Sequence, residues 1–309
     1  MKWLVRLGIV AVILAGAYWF EILDGGVPAS ATYKTDIAAW RSLVSGDSAQ
    51  LPNEIRIEIV GRDAVPLAAM QAGAPFTEYP RVRAAFQLNG PAGSVIIDTT
   101  FDKETAAKAQ RSTTAQYDEA AYGRVISAMG VAAKVAVTHE HPDHIGGIAR
   151  FPMPERLAER LVLMRAQYIG MASAVSGGIP PATYAAAQIE LPGPTRIAPG
   201  VVMIPAPGHT PGSVMFFVKL ADGKEVLFIG DIAWVLSNIE DLTTRPRFTQ
   251  QVFMASGEDR AAVADQVRAL HDLSVAEPAL IILPAHDAPL IANAIRSGLI
   301  KEQFSIDGP

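Results

Sequence analysis

Residues 138–147 read Thr-His-Glu-His-Pro-Asp-His-Ile-Gly-Gly, which places three histidines and an aspartate within six positions directly after an apolar stretch. Imidazole and carboxylate groups at this density suit zinc, and also iron or manganese. If Val131–Thr138 is a strand, His139 and His141 leave its end on the same side, because side chains repeat with period two. Asp143 and His144, beyond Pro142, can then face a second point a few ångströms away. Three further candidates each close an apolar segment: His209 in PAPGHTPGS, Asp231 in FIGD and His286 in PAHD. Five of the six histidines therefore stand beside Gly or Pro at strand ends, where functional groups are commonly displayed. The sixth, His271 in RALHDL, falls on a helical stretch and reads as a structural or surface residue.

The chain has 309 residues, half of them hydrophobic, and no cysteine. That composition supports a large core and excludes disulfides, thiolate nucleophiles, cysteine zinc fingers and iron–sulfur clusters. No serine pairs with a spare histidine, so a protein nucleophile is not expected. A net charge of −5 excludes nucleic-acid binding through bulk basicity.

The elements that must carry these residues are legible from periodicity. Glu54–Val60 and Arg81–Leu88 alternate as half-buried strands, and Ser94–Asp98 reads as a buried one. Val201–Pro205, Val214–Leu220 and Glu225–Gly230 follow, the last two joined by the turn Ala221-Asp222-Gly223-Lys224, and Ala279–Pro284 is a final buried strand. Helices are expected over 36–44, 115–129 and 258–273. Strands grouped in threes and followed by helices predict a layered α/β sandwich rather than a doubly wound sheet.

HEHPDH, GHTPGS, FIGD and PAHD, in that order, resemble the metallo-β-lactamase superfamily of hydrolases over roughly residues 54–292. The resemblance implies a four-layer αβ/βα sandwich with its site at one edge between two sheets. It implies that His139, His141 and His209 hold one metal, that Asp143, His144 and His286 hold a second, and that Asp231 bridges both. Asp98, in SVIIDTT, matches an aspartate that supports the ligand loop from behind; alternatively it caps the helix that follows. Seven ligands suit two ions sharing a carboxylate, and a hydroxide bridging them is a nucleophile at neutral pH. Two Zn2+ are expected, with Fe or Mn as alternatives. Asp143 is the expected catalytic residue, orienting that hydroxide or passing its proton on.

The resemblance is narrower for some subgroups than others. Cysteine-ligand β-lactamases carry Cys where Asp231 stands, glyoxalase-II-type thioesterases need more than the 23 residues left after His286, and RNase Z needs an RNA-binding surface. Lactonases of this superfamily commonly carry a Tyr shortly after the bridging Asp, where this chain has Trp234. Segments 168–188 and 232–253 are expected to overhang the site, with Tyr168, Met171, Ile179, Tyr184, Trp234, Val235, Leu236 and Phe248 forming an apolar pocket. Gly177-Gly178 and Pro180-Pro181 would shape a lid over it. The expected enzyme is thus a zinc-dependent hydrolase of a small hydrophobic ester, lactone or phosphotriester, with β-lactam or thioester hydrolysis as the alternative on the same fold. An iron redox enzyme or a non-catalytic metal-binding protein is the alternative of another class.

At the other end, Lys2 and Arg6 flank an apolar run from Leu7 to Phe20. Residues 1–31 are expected to be a signal anchor or a signal peptide preceding a hydrolase domain over 32–309. The positive-inside rule places the catalytic domain outside the cytoplasm, periplasmic in a bacterium. It would be membrane-anchored, or secreted after cleavage near Ala29-Ser30-Ala31.

Overall fold

The computed structural model of the protein describes residues 2–109, 115–175, 183–185, 188–253 and 257–306. Gly177-Gly178, Ile179 and Pro180-Pro181 lie outside the described residues. In chain order the first elements are α1 (Lys2–Tyr18), a π-helical turn over Trp19–Leu23, α2 (Ile37–Leu43), β1 (Glu54–Pro66), β2 (Glu78–Gly90), β3 (Gly93–Ile97), α3 (Lys103–Ala109) and β4 (Gln116–Tyr117). The middle of the chain forms α4 (Glu119–Met129), β5 (Lys134–Ala136), α5 (Pro142–Ala149), α6 (Pro154–Ala158), β6 (Leu161–Met164), α7 (Arg165–Ala174), β7 (Gln188–Ile189), β8 (Thr195–Ala198) and β9 (Val201–Pro205). Then follow β10 (Val214–Lys219), β11 (Glu225–Gly230), α8 (Ser237–Glu240), α9 (Arg247–Phe253), α10 (Arg260–Ala276), β12 (Ile281–Pro284), α11 (Ala288–Arg296) and β13 (Ile300–Glu302).

Period-two alternation sorts the strand side chains between three apolar layers. Val82, Ala84, Phe86 and Leu88 of β2, with Val95 and Ile97 of β3, face Val214, Phe216 and Val218 of β10 and Phe228 of β11 across the inner core. Their neighbours Ala85 and Ile96 point outward, under Val125 and Met129 of α4 and Ile145 and Ile148 of α5. Met215, Phe217 and Leu227 point outward on the other side, under Trp40 of α2 and Val263, Val267 and Leu270 of α10. Two sheets packed face to face, each covered by helices, make the expected four-layer αβ/βα sandwich.

One sheet runs β13-β1-β2-β3-β5-β6-β7, with β4 pairing onto β1; the other runs β12-β11-β10-β9-β8. The helix expected over 115–129 begins only at Glu119. Asp118 caps it by accepting from the Ala121 N–H at 2.9 Å, while Gln116 and Tyr117 pair with Arg62 and Gly61 of β1. The hairpin of β1 and β2 runs farther than the alternation shows, pairing out to Pro66 and Glu78.

The edge that carries the candidate ligands depends on one close approach. α5 begins just after His141, with Pro142 in its first turn, and presses its glycines onto the loop that follows β3. A Cβ on Gly147 would stand 2.5 Å from the Thr99 carbonyl oxygen, and one on Gly146 would stand 2.6 Å from that of Thr100. The Gly147→Ala variant is therefore expected to lose about 1–3 kcal/mol of stability from overpacking, although alanine is the better helix former. Chemical denaturation of the full chain measures this; unchanged stability would contradict the close approach.

Candidate metal centre

Every candidate ligand sits on a strand end, on the turn that follows one, or in the first turn of α5 beyond β5. The β5 exit carries His139, His141, Asp143 and His144; the β9–β10 turn carries His209; Asp231 ends β11; His286 follows β12. The structure gathers all seven at one edge between the sheets, in two groups whose ligand atoms lie within 4.8 Å of one another. In the first group His139 Nε2 and His209 Nε2 each stand 3.0 Å from His141 Nδ1. In the second, His286 Nε2 and His144 Nε2 lie 3.1 Å and 3.4 Å from Asp231 Oδ1. Asp143 completes it, with carboxylate oxygens 3.8 Å from His286 Nε2 and 3.9 Å from His144 Nε2. Asp231 faces both groups, because its Oδ2 lies 3.5 Å from His209 Nε2.

The ring nitrogens turned away from the centre are held from behind. His144 Nδ1 meets Asp98 Oδ2 at 2.9 Å, His209 Nδ1 meets Glu258 Oε2 at 2.7 Å, and His286 Nδ1 meets the Val82 carbonyl at 2.7 Å. His139 Nδ1 meets Thr138 Oγ1 at 3.1 Å. These contacts fix each tautomer so that the lone pair points at the centre. Asp98 also accepts from the Thr138 N–H at 2.7 Å, at a backbone φ of +62° that an aspartate adopts only under constraint. The nearby helix α3 is capped instead by Asp102, which accepts from the Thr105 N–H.

The donor set fits a pair of divalent cations. His144 Nε2 and Asp231 Oδ1 are buried, and neither has a hydrogen-bond partner. Contacts of 3.0–3.5 Å between ligand atoms match the edge of a tetrahedron whose metal bonds are about 2.0–2.1 Å. Burial holds His139 well below its usual value and His141 down to about 4, so both are neutral imidazoles at neutral pH. Burial works downward on His144 too, but Asp98, Asp231 and Asp143 push it up to about 10, which marks an excess of negative charge that bound cations would neutralise.

Several supporting residues have no local signature. Glu258 was legible only as the start of a helix, yet Asp259 is the cap of α10, and Glu258 is buried against His209 and Arg245. Glu140, between two candidate ligands, turns away from the centre and grips the facing loop through Thr210 Oγ1 at 2.7 Å and the Gly212 N–H at 3.2 Å. Arg81 and Arg83, on the polar side of β2, share Asp63, and Arg83 Nε lies 3.4 Å from Asp143 Oδ2.

A cleft of about 710 Å³ opens beside Asp143, Asp231 and His286, walled by Val65, Pro66, Phe101, Tyr117 and Trp234. Trp234 donates from Nε1 to Asp231 Oδ2 at 2.8 Å, and the guanidinium groups of Arg81 and Arg245 lie over its ring. Of the expected pocket residues, Trp234 lines this cleft, while Tyr168, Met171, Val235, Leu236 and Phe248 do not. α7 instead lays Met171 and Tyr168 into the core under the first sheet, with Tyr184 beside them, and Phe248 is exposed. The wall facing Trp234 comes from the β1–β2 hairpin and the α3 region.

A family model described as the metallo-beta-lactamase superfamily matches residues 80–286. No curated protein matches the chain at a significant level. Among solved structures, an N-acyl homoserine lactone hydrolase with N-hexanoyl-L-homoserine bound at its catalytic metal centre superposes with a TM-score of 0.59 at 17% identity, over 79% of this chain and 96% of that one. A quorum-quenching N-acyl homoserine lactone lactonase gives 0.58 at 18%, over 82% and 99%. A probable metal-dependent hydrolase from Staphylococcus aureus gives 0.53 at 14%, over 76% and 90%. At these identities the likeness is one of fold.

Because Asp98 and Glu258 act through histidines, Asp98→Asn and Glu258→Gln are each expected to weaken metal binding by about 10–100-fold while the fold persists. Competition against a chromogenic chelator, with circular dichroism as the control, checks this. Undiminished affinity in both variants would contradict the roles assigned to them.

Proposed function

The chain belongs to the metallo-β-lactamase superfamily, and from that premise we propose that it is a dinuclear zinc hydrolase acting on an apolar ester or lactone. The observation that carries this reading is the place of the Asp231 carboxylate between the two groups, 3.5 Å from His209 Nε2 in one and 3.1 Å and 3.4 Å from His286 Nε2 and His144 Nε2 in the other. His139, His141 and His209 would hold one ion, Asp143, His144 and His286 the other, and Asp231 both. When bound, such a pair supplies an activated water at neutral pH and polarises the scissile carbonyl.

The remaining work falls to the chain's own side chains. Trp234 fixes the plane of the shared carboxylate through its indole N–H. Burial disfavours ionisation of Asp143, but His144, His286 and Arg83 outweigh it and keep the group below the usual carboxylate range. As an anion beside the cleft, Asp143 accepts the proton that the attacking water loses and returns it to the leaving oxygen. Val65, Pro66, Phe101 and Tyr117 exclude water and receive the acyl chain.

The acyl homoserine lactone hydrolases that share the fold favour a lactone with an alkyl chain. Zinc-loaded full-length protein is expected to hydrolyse a long-chain acyl lactone or aryl ester, to lose that activity to a chelator, and to leave a β-lactam and a thioester largely untouched. Each two methylenes added to the acyl chain should raise kcat/KM by about tenfold until the cleft is filled, because a buried CH2 is worth about 0.8 kcal/mol. A phosphotriester belongs in the same panel. No turnover of any ester with two metals bound would overturn the proposal.

A further inference from the structure

The N-terminal helix and the catalytic cleft share their supports. α1 and the turn after it form a helix over Lys2–Leu23 of 22 residues, apolar enough to cross a membrane and with none of its span buried. At about 1.5 Å per residue it matches a hydrocarbon core of about 30 Å, and Tyr18, Trp19 and Phe20 stand at its inner end as an interfacial belt would. That end is strapped to the body of the protein. Gly73 N–H donates to the Ile22 carbonyl at 3.1 Å, and Arg247 donates to the Phe20 carbonyl at 2.6 Å while pairing with Asp24 at 2.7 Å. Arg260 donates to the carbonyls of Asp24 and Gly25 at 3.1 Å and 3.0 Å, and Thr244 Oγ1 donates to that of Gly25 at 2.5 Å. Gly25 fits so closely that a Cβ there would overlap Thr243, and Gly26 has a φ of +67°. These bonds precede Ala29-Ser30-Ala31, so cleavage there would take from Arg247 its contacts with Phe20 and Asp24, and from Arg260 those with Asp24 and Gly25, leaving Arg260 its bond to the Arg245 carbonyl.

The two segments that grip the helix also reach the cleft. Pro66 and Ala69 line it just before Gly73, and Thr249 lines it just after Arg247. On the outside of these segments stand Phe76, 67% exposed, and Phe248 and Val252, 48% and 49% exposed. Phe248 and Val252 are four residues apart on α9 and so share a face. Phe76 and Phe248 are exposed phenylalanines outside the N-terminal helix. An apolar rim at the foot of an apolar helix, beside the mouth of an apolar-walled cleft, fits a lipid surface.

We propose that Phe76, Phe248 and Val252 rest in the interfacial region of the bilayer that the N-terminal helix enters, so that the cleft opens onto lipid. The enzyme then takes an acyl-bearing amphiphile from the membrane rather than from bulk water. This second statement rests on the ester or lactone reading above; the placement of the rim does not.

The chain has no cysteine, so Phe76→Cys, Phe248→Cys and Val252→Cys can each carry one fluorophore in full-length protein reconstituted into phosphatidylcholine vesicles. Val131→Cys is the control, because Val131 is 58% exposed and precedes β5, at the opposite end of that strand from the metal centre. Brominated lipid should quench the three rim labels several-fold more than the control, while aqueous iodide should favour the control. Equal quenching of rim and control labels would overturn the placement, as would rim labels shielded from both quenchers, which would mean a protein occupant. For the substrate source, Phe76→Ser/Val252→Ser should slow hydrolysis of a long-acyl ester held in vesicles about tenfold, in keeping with the loss of apolar contact, and spare a short water-soluble ester. Equal slowing of both, or of neither, would overturn the membrane route. Absence of any hydrolysis would count against the ester reading alone, since the quenching experiment stands without it.

Discussion

One carboxylate holds the centre together. Asp231 stands between the two groups, its carboxylate within reach of His209 on one side and of His144 and His286 on the other, and it is almost fully buried. A charge in that position is tolerated only if opposite charge or hydrogen bonds surround it. Much of the local architecture serves that requirement. Gly230 turns the chain at a φ of +53° so that Asp231 leaves β11 toward the other sheet, packed against Thr138. Asp98, Glu258 and the Val82 carbonyl aim three of the rings, and Trp234 takes a hydrogen bond's share of the load.

The parts of this arrangement that were legible in the sequence are those encoded locally. Continuous apolar runs such as Val214–Lys219 read as strands buried on both faces, because each face enters a different apolar layer. The His-rich string and the three later motifs were visible because every one follows such a strand, and the structure brings all seven residues together. What escaped reading is encoded across the fold. Glu258 meets His209 from 49 positions away, and Arg83 meets Asp143 from another layer of the chain. Gln116 and Tyr117 resemble the helix that follows them, and only the edge of β1 makes them a strand. Likewise Met171 and Tyr184 are apolar enough for either a pocket or a core, and packing against α5 and its neighbours decides for the core.

The cleft and the N-terminal helix connect through the same short stretch of chain. Arg245 bonds to the Asp231 carbonyl and pairs with Glu258 behind His209, and its own carbonyl accepts from Arg260, which also grips Asp24 and Gly25. The path from the helix foot to the metal ligands therefore passes through arginine-to-carbonyl hydrogen bonds and one buried ion pair, Arg245 with Glu258. Such pairs add little net stability, yet breaking one leaves a buried charge uncompensated. The edge that carries the candidate ligands and the foot of the helix are accordingly tied through the same residues.

The central claim is that the seven gathered side chains form two metal sites sharing Asp231. Elemental analysis of the dialysed full-length protein, alongside His286→Ala, tests it most directly. The account predicts two ions per chain in the native protein and one in the variant. A single ion per chain in the native protein, or two retained after removal of His286, would contradict it.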